Sequence, residues 1–270
     1  MRYATHMKTE RFTFPGALGH DLAGRLDLPD NGEVLDYVVF AHGFTIGKNF
    51  KPLQTIAKAL VEQGYGMLRF DFTGLGDSGG DFSDTNFSTN VSEIQAAAGY
   101  LADHYGAPGL LVGHSFGGTA ALKAAESLPS VTAVATIGSP CSTSHIVHNF
   151  ADKLEEIIES GQAEVMLAGR PFVIKNQFLD DIKKHDVAEG LADLNRALLV
   201  FHSPQDRVVN IDNASHIFRY AKHPKSFVSL DGADHLLLKN DDDADYVGRV
   251  LAAWALRYDR GSPDRDSTSA

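Results

Sequence analysis

The sequence predicts an α/β domain with a mostly parallel central sheet, helices on both faces and a small inserted cap. Three observations lead there. Short apolar segments recur along the chain with the length and composition of strands buried on both faces. Between them lie runs with apolar residues at helical spacing. The alternation lapses once, over residues 141–196, and then resumes. Parallel neighbours need crossover connections, which are right-handed and usually helical, so a strand–helix alternation of this kind wraps helices over both faces of its sheet.

The first two strands, "RFTF" and "DLAGRLDL", are joined by the turn-forming "PGALGH" and read as an antiparallel pair, with Phe12 and Phe14 on one face. The strands expected to be buried on both faces are "YVVFA" (37–41), "GMLRFDF" (66–72), "GLLVGH" (109–114), "VTAVATIG" (131–138), "ALLVFH" (197–202) and "KSFVSL" (225–230). The helical runs are "LQTIAKALVEQG", "VSEIQAAAGYLADHYG", "TAALKAAESL", "IDNASHIFRYA" and the terminal "DYVGRVLAAWAL". The aspartates of "KNDDDADY" fit the start of that last helix, where they complement its dipole. Residues 141–196 contain an amphipathic run (Ile146, Phe150, Leu154, Ile157, Ile158), a hairpin "AEVMLAGRPFVI" turning at Ala168 to Arg170, and "KNQFLDDIKKHD". Because the strand series resumes at Ala197, this segment reads as a cap on the same domain. The expected organisation is a leader over residues 1–8, a core over 9–140 and 197–258, the cap at 141–196, and a polar, breaker-rich mobile tail at 259–270.

Bulk properties narrow the function classes. A hydrophobic fraction of 43% with 22% charged residues is that of a globular protein. A net charge of −11 with no basic patch opposes binding to nucleic acid or anionic membrane. The single cysteine, Cys141, permits no intramolecular disulfide and suits a reducing, cytoplasmic setting. Its own expected role is a buried structural thiol near the pocket. No stretch of 18 apolar residues occurs, and the first residues lack a signal peptide's apolar segment, so neither a membrane span nor export is expected.

The chemistry is read from "LLVGHSFGGTAAL", where Gly-x-Ser-x-Gly stands between a strand and a helix. A sharp turn at Ser115 would lift its hydroxyl clear of the sheet, and side chains at Gly113 or Gly117 would collide with the neighbouring elements. A serine hydroxyl needs a base to take its proton, and that base needs an orienting carboxylate. Asp206, in "HSPQDRVV", and His235, in "GADH", follow successive strands at the edge of the sheet that carries Ser115. Asp212 falls on a helix, and Asp231 and Asp234 are too close to His235 in sequence to reach its ring from the sheet side. The backbone N–H of Phe116 comes with the turn as an oxyanion donor. The second is expected from Phe44 in "HGFTIGKNF", with Thr45 as the alternative. His42 in the same loop is expected to brace it. His145 and His148 have a ligating spacing without a third ligand, so no metal and no cofactor are expected.

The motifs "AHGF", "GHSFGG", "HSPQDRVV" and "GADH" together resemble an α/β-hydrolase of the serine-esterase type, over nearly the whole chain. The longer segments "RFDFTGLGDSGGDFSDTNFSTNV", "AVATIGSP" and "LAGRPFVIKNQFLDDI" resemble the hydrolase module often fused to an OsmC-like peroxide-reducing domain. The short cap is similar to that of feruloyl-type esterases and serine aminopeptidase-like hydrolases. The sequence leaves no room for an OsmC domain and has no cysteine pair, so peroxide chemistry is not expected. Where that module often carries cysteine after the loop histidine, this chain has Gly43. In "DFTGLGDS", Asp71 and its glycines are expected to shape the oxyanion loop. The resemblance implies ester, thioester or peptide-like substrates.

The expected function is that of a cofactor-free serine hydrolase. It would cleave carboxylic esters, with thioesters as a further class, of small or medium acyl or aryl groups through an acyl-enzyme. Met166, Leu167, Phe172 and Phe178 are expected to form the apolar wall of the pocket. The partner is a small-molecule ester, and the oligomeric state is left open. Serine at 115, in place of aspartate, speaks against dehalogenase and epoxide hydrolase chemistry. The competing readings are an aminopeptidase-like hydrolase or haloperoxidase on the same triad, and a noncatalytic ligand-binding protein of this fold.

Overall fold

The computed structural model describes residues 7–185 and 187–258. Residues 1–6 of the expected leader and the expected tail at 259–270 lie outside the described residues. Met7 and Lys8, assigned to the leader, already belong to the first strand.

Strands β1 (Met7–Pro15) and β2 (Asp21–Pro29) form the antiparallel pair, with Phe14 opposite Leu22. The alternating core then follows: β3 (Tyr37–Ala41), α1 (Lys51–Val61), β4 (Gly66–Phe70), α2 (Phe87–His104), β5 (Leu110–His114), α3 (Phe116–Ala125) and β6 (Ala133–Ile137). The cap comprises a 3₁₀ segment (Thr143–Lys153), α4 (Leu154–Ser160), the hairpin β7 (Gln162–Leu167) and β8 (Arg170–Lys175), α5 (Asn176–Ile182) and α6 (Val187–Leu191). The chain re-enters the core as β9 (Ala197–His202), α7 (Asp212–Tyr220), β10 (Lys225–Ser229) and α8 (Asp241–Ala255). The eight core strands lie in the order β1-β2-β4-β3-β5-β6-β9-β10, parallel from β4 onward.

The two-residue period of a strand sends alternate side chains into two separate cores. On β3, Val38 and Phe40 face a layer closed by Ile56 and Leu60 of α1 and Val247 and Leu251 of α8. Val39 and Ala41 face the other, closed by Ile94 and Leu101 of α2, Ala120 and Ala121 of α3, and Ile217 of α7. Gly248 lets α8 press onto α1, since a Cβ there would stand 2.6 Å from that of Ala59.

Two expectations change. β10 is an edge strand with one neighbour, none of its five residues is fully buried, and Phe227 is 42% exposed. The amphipathic run of the cap is broken: a non-helical Phe150 kinks the 3₁₀ segment before α4, which turns Ile158 to solvent while Ile146, Phe150 and Ile157 stay buried. The cap is tied to the core at the start of α2, where the Asp181 carboxylate accepts from the Ser88 N–H (2.8 Å) and hydroxyl (2.7 Å). The β7–β8 hairpin turns through Ala168 and Gly169 at φ +49° and +76°, and so brings its tip over the carboxyl edge of the sheet. Among the described residues no helix is long and apolar enough to cross a membrane.

Candidate active site

Ser115 sits between β5 and α3 with φ +54° and ψ −129°, a conformation a non-glycine residue holds only when its surroundings impose it. Those surroundings are glycines. A Cβ on Gly113 would stand 2.4 Å from the Gly117 carbonyl oxygen, and one on Gly117 would stand 2.3 Å from that of His42. The tight crossing of strand and helix leaves the half-buried Ser115 hydroxyl projecting from the sheet edge at the helix N-terminus.

The His235 Nε2 lies 3.1 Å from Ser115 Oγ, and its Nδ1 lies 2.7 Å from Asp206 Oδ2. A carboxylate accepts, so Nδ1 carries the proton and the Nε2 lone pair faces the serine hydroxyl. The other Asp206 oxygen accepts from the N–H groups of Val208 (2.8 Å) and Val209 (2.9 Å). Burial works to raise the Asp206 pKa. The hydrogen bond and charge of His235, with the two backbone donors, outweigh it and hold the carboxyl below its ordinary range. The rejected aspartates are engaged elsewhere: Asp212 opens α7, Asp231 accepts from Ser229, and Asp234 accepts from the N–H groups of Leu238 and Lys239.

Two residues that the sequence did not single out position this pair. Gly138, at φ +56°, lies beneath the His–Asp bond, where a Cβ would stand 3.3 Å from both Asp206 Oδ2 and His235 Nδ1. His114 donates from Nε2 to the His235 carbonyl at 2.8 Å. Burial, reinforced by the neighbouring His235, pushes the His114 pKa down to about 3, so it is neutral with its one proton committed to that bond.

The loop after β3 crosses directly over Ser115. A Cβ on Gly43 would stand 3.2 Å from that of Ser115 and 2.9 Å from His114 Nδ1. This brings the following residue, Phe44, beside the turn, while Phe116 as the first residue of α3 has an N–H without an intrahelical partner. Thr45 also borders the Ser115 cleft, and its carbonyl accepts from the Arg170 guanidinium of the cap hairpin. His42 is buried, its Nδ1 donating to the Gly43 carbonyl (2.9 Å) and its Nε2 accepting from the Phe72 N–H (3.4 Å). It braces the loop. Asp71 does the same from below: it accepts from the Lys48 N–H (2.6 Å), binds the Lys48 ammonium and accepts from the Asp77 N–H (2.9 Å). Lys48 is buried, and its carbonyl in turn accepts from Arg69, which pairs with buried Asp27 at 2.6 Å. Sequence reading missed Lys48, which only a fold that brings it to Asp71 makes visible.

A cleft of about 310 Å³ opens above Ser115 and His235, walled by Phe44, Ile46, Met166, Leu167, Val208 and Leu236, with Asn149 of the cap as a polar member. Met166 and Leu167 are among its lining residues. Phe172 and Phe178 are not among its lining residues. Phe178 is buried against Phe44, Phe116 and Phe150, and Phe172 packs on Phe82 at 4.7 Å. They pack behind the loop that follows β3, Phe178 directly against Phe44 and Phe172 through Phe82. Cys141 is half-buried, with its N–H bonded to Asn213, and is less enclosed than expected. The His145 and His148 rings are 5.0 Å apart, and among the described residues no group of three His, Cys, Asp or Glu could hold a metal ion.

A model of the alpha/beta hydrolase family matches residues 38–250. The crystal structure of the esterase domain from a Rhodothermus marinus protein is similar, with 47% identity and a TM-score of 0.77 over 94% of this chain and 99% of that one. Est1E from Butyrivibrio proteoclasticus, solved with ferulic acid bound, shares the fold at 21% identity and a TM-score of 0.73, over 91% of this chain and 98% of that one. The mitochondrial palmitoyl-protein thioesterase ABHD10 of Rattus norvegicus is 27% identical over 113 residues, 42% of this chain. The match spans 37% of that relative's length.

Proposed function

The chain belongs to the alpha/beta hydrolase family, and on that footing we propose that it is a serine esterase acting on small or medium acyl or aryl esters through an acyl-enzyme. The observation that carries the reading is the continuous hydroxyl–imidazole–carboxylate chain of Ser115, His235 and Asp206, at 3.1 Å and 2.7 Å. Ser115 Oγ attacks the acyl carbon as His235 Nε2 takes its proton. The Asp206 carboxylate stabilises the imidazolium. The N–H groups of Phe44 and Phe116 bind the oxyanion. His235 then gives the proton to the departing oxygen, and a water activated by the same imidazole releases the acid. The apolar wall of Ile46, Met166, Leu167 and Val208 suits the acyl or aryl group.

Thioesters are a second class of substrate, supported by the partial match to a palmitoyl-protein thioesterase. The same attack on an acyl carbon serves both. The lone cysteine supports a reducing, cytoplasmic location, and the net charge of −11 supports a small-molecule partner over nucleic acid or membrane. The test is Ser115→Ala assayed on a p-nitrophenyl ester. Turnover falls by at least about a thousandfold with the fold intact. A folded variant that keeps most of its activity overturns the proposal.

A further inference from the structure

The Ser115 cleft does not end at His235. A second groove of about 480 Å³, lined by Arg207, Val208, Asp234, His235, Leu236 and Lys239 among others, continues from it. Val208, His235 and Leu236 belong to both. His235 is therefore the shared wall.

Two basic residues, Arg207 and Lys239, line this groove. Acidic residues outnumber basic ones, 35 to 24, and some exposed cations elsewhere are paired with carboxylates, as Lys51 is with Asp241 and Arg249 with Asp245. Arg207 has no hydrogen bond or ion pair among the described residues. Lys239 donates once, to the Gly232 carbonyl at 3.1 Å, which leaves two of its three N–H groups free. The one carboxylate in the groove, Asp234, is turned to the backbone, accepting from Leu236 (3.3 Å), Leu238 (2.8 Å) and Lys239 (2.7 Å). Two cations with spare donors thus face a cleft in a protein whose overall field is negative.

On the serine-esterase reading above, the departing oxygen must meet His235 Nε2 to receive its proton, so the leaving group lies along the wall that His235 forms. We infer that the leaving-group arm of the substrate carries a carboxylate or phosphate, held by Arg207 and Lys239. The acyl arm, in this arrangement, takes the apolar cleft under the cap.

The test compares three aryl acetates with the same acyl group: methyl 4-acetoxybenzoate, 4-acetoxybenzoate and 4-acetoxyphenyl phosphate. Intrinsic reactivity differs among them, so the readout is how the ratio of kcat/KM, anionic over neutral ester, changes. That ratio falls about tenfold in R207Q/K239Q for whichever anion the groove accepts. In the wild-type protein the same ratio falls as ionic strength is raised, which checks the inference without relying on a variant that must fold. The carboxylate and phosphate arms identify the ligand. Ratios unchanged by both the substitutions and salt, with the neutral ester still cleaved, overturn the inference and leave the serine esterase standing. Loss of hydrolysis of all three esters by the wild-type protein overturns both.

Discussion

Gly138→Ala puts a methyl group beneath the contact on which the proposed chemistry depends. The residue sits at φ +56°, where an L side chain costs about 1–2 kcal/mol. The new Cβ would lie 3.3 Å from Asp206 Oδ2 and His235 Nδ1 and 3.5 Å from His235 Cε1, so its neighbours must give by a few tenths of an ångström. Asp206 cannot readily retreat, because its second oxygen is held by the N–H groups of Val208 and Val209. His235 therefore moves, and its Nε2 starts only 3.1 Å from Ser115 Oγ. If a misplacement of 1 Å can cost about a hundredfold, a third of that costs roughly fivefold in kcat. KM should stay near its wild-type value, since Gly138 does not line the cleft. Steady-state kinetics on a p-nitrophenyl ester, with urea unfolding in parallel, measure both effects. A variant with wild-type kcat, or one altered only in KM, refutes the positioning role given to Gly138.

Lys48→Met leaves the buried Asp71 carboxylate without its cation and should cost about 3–5 kcal/mol in urea unfolding. The double variant Lys48→Met, Asp71→Asn should recover part of that loss. His114 gives a pH signature. In the unfolded chain it takes a proton below about 6.5, whereas in the fold burial delays this to about 3. Acid therefore favours the unfolded state, and this one group should lower stability by about 1.4 kcal/mol per pH unit as pH falls from 6 to 4. His114→Gln, which keeps a donor without titrating, should flatten the urea-midpoint profile over that range. An unchanged slope removes the assignment.

What was legible in the sequence is what is local. Gly113, Ser115 and Gly117 form one turn whose steric logic is contained in five residues, and Asp206 and His235 each follow a strand directly. The alternation of apolar strands and helices likewise carries the core, because burial on both faces writes itself into consecutive residues. What escaped depends on contacts between distant segments. Lys48 and Asp71 are 23 positions apart, and His114 and His235 are 121 apart, so nothing in either neighbourhood marks the pair. Phe172 and Phe178 have the composition of pocket walls, yet Phe172 on β8 packs against Phe82 and Phe178 on α5 packs against Phe44, behind the loop that follows β3. Phe227 looked like a core residue until the sheet order left β10 at an edge.

The central claim is that the imidazole of His235 makes the Ser115 oxygen a nucleophile, and a fluorophosphonate probe tests it most directly. Intact mass spectrometry should find one adduct per chain, peptide mapping should place it on Ser115, and His235→Ala should slow its formation sharply. A folded protein that the probe leaves unmodified, or one that carries the adduct on another residue, contradicts the account.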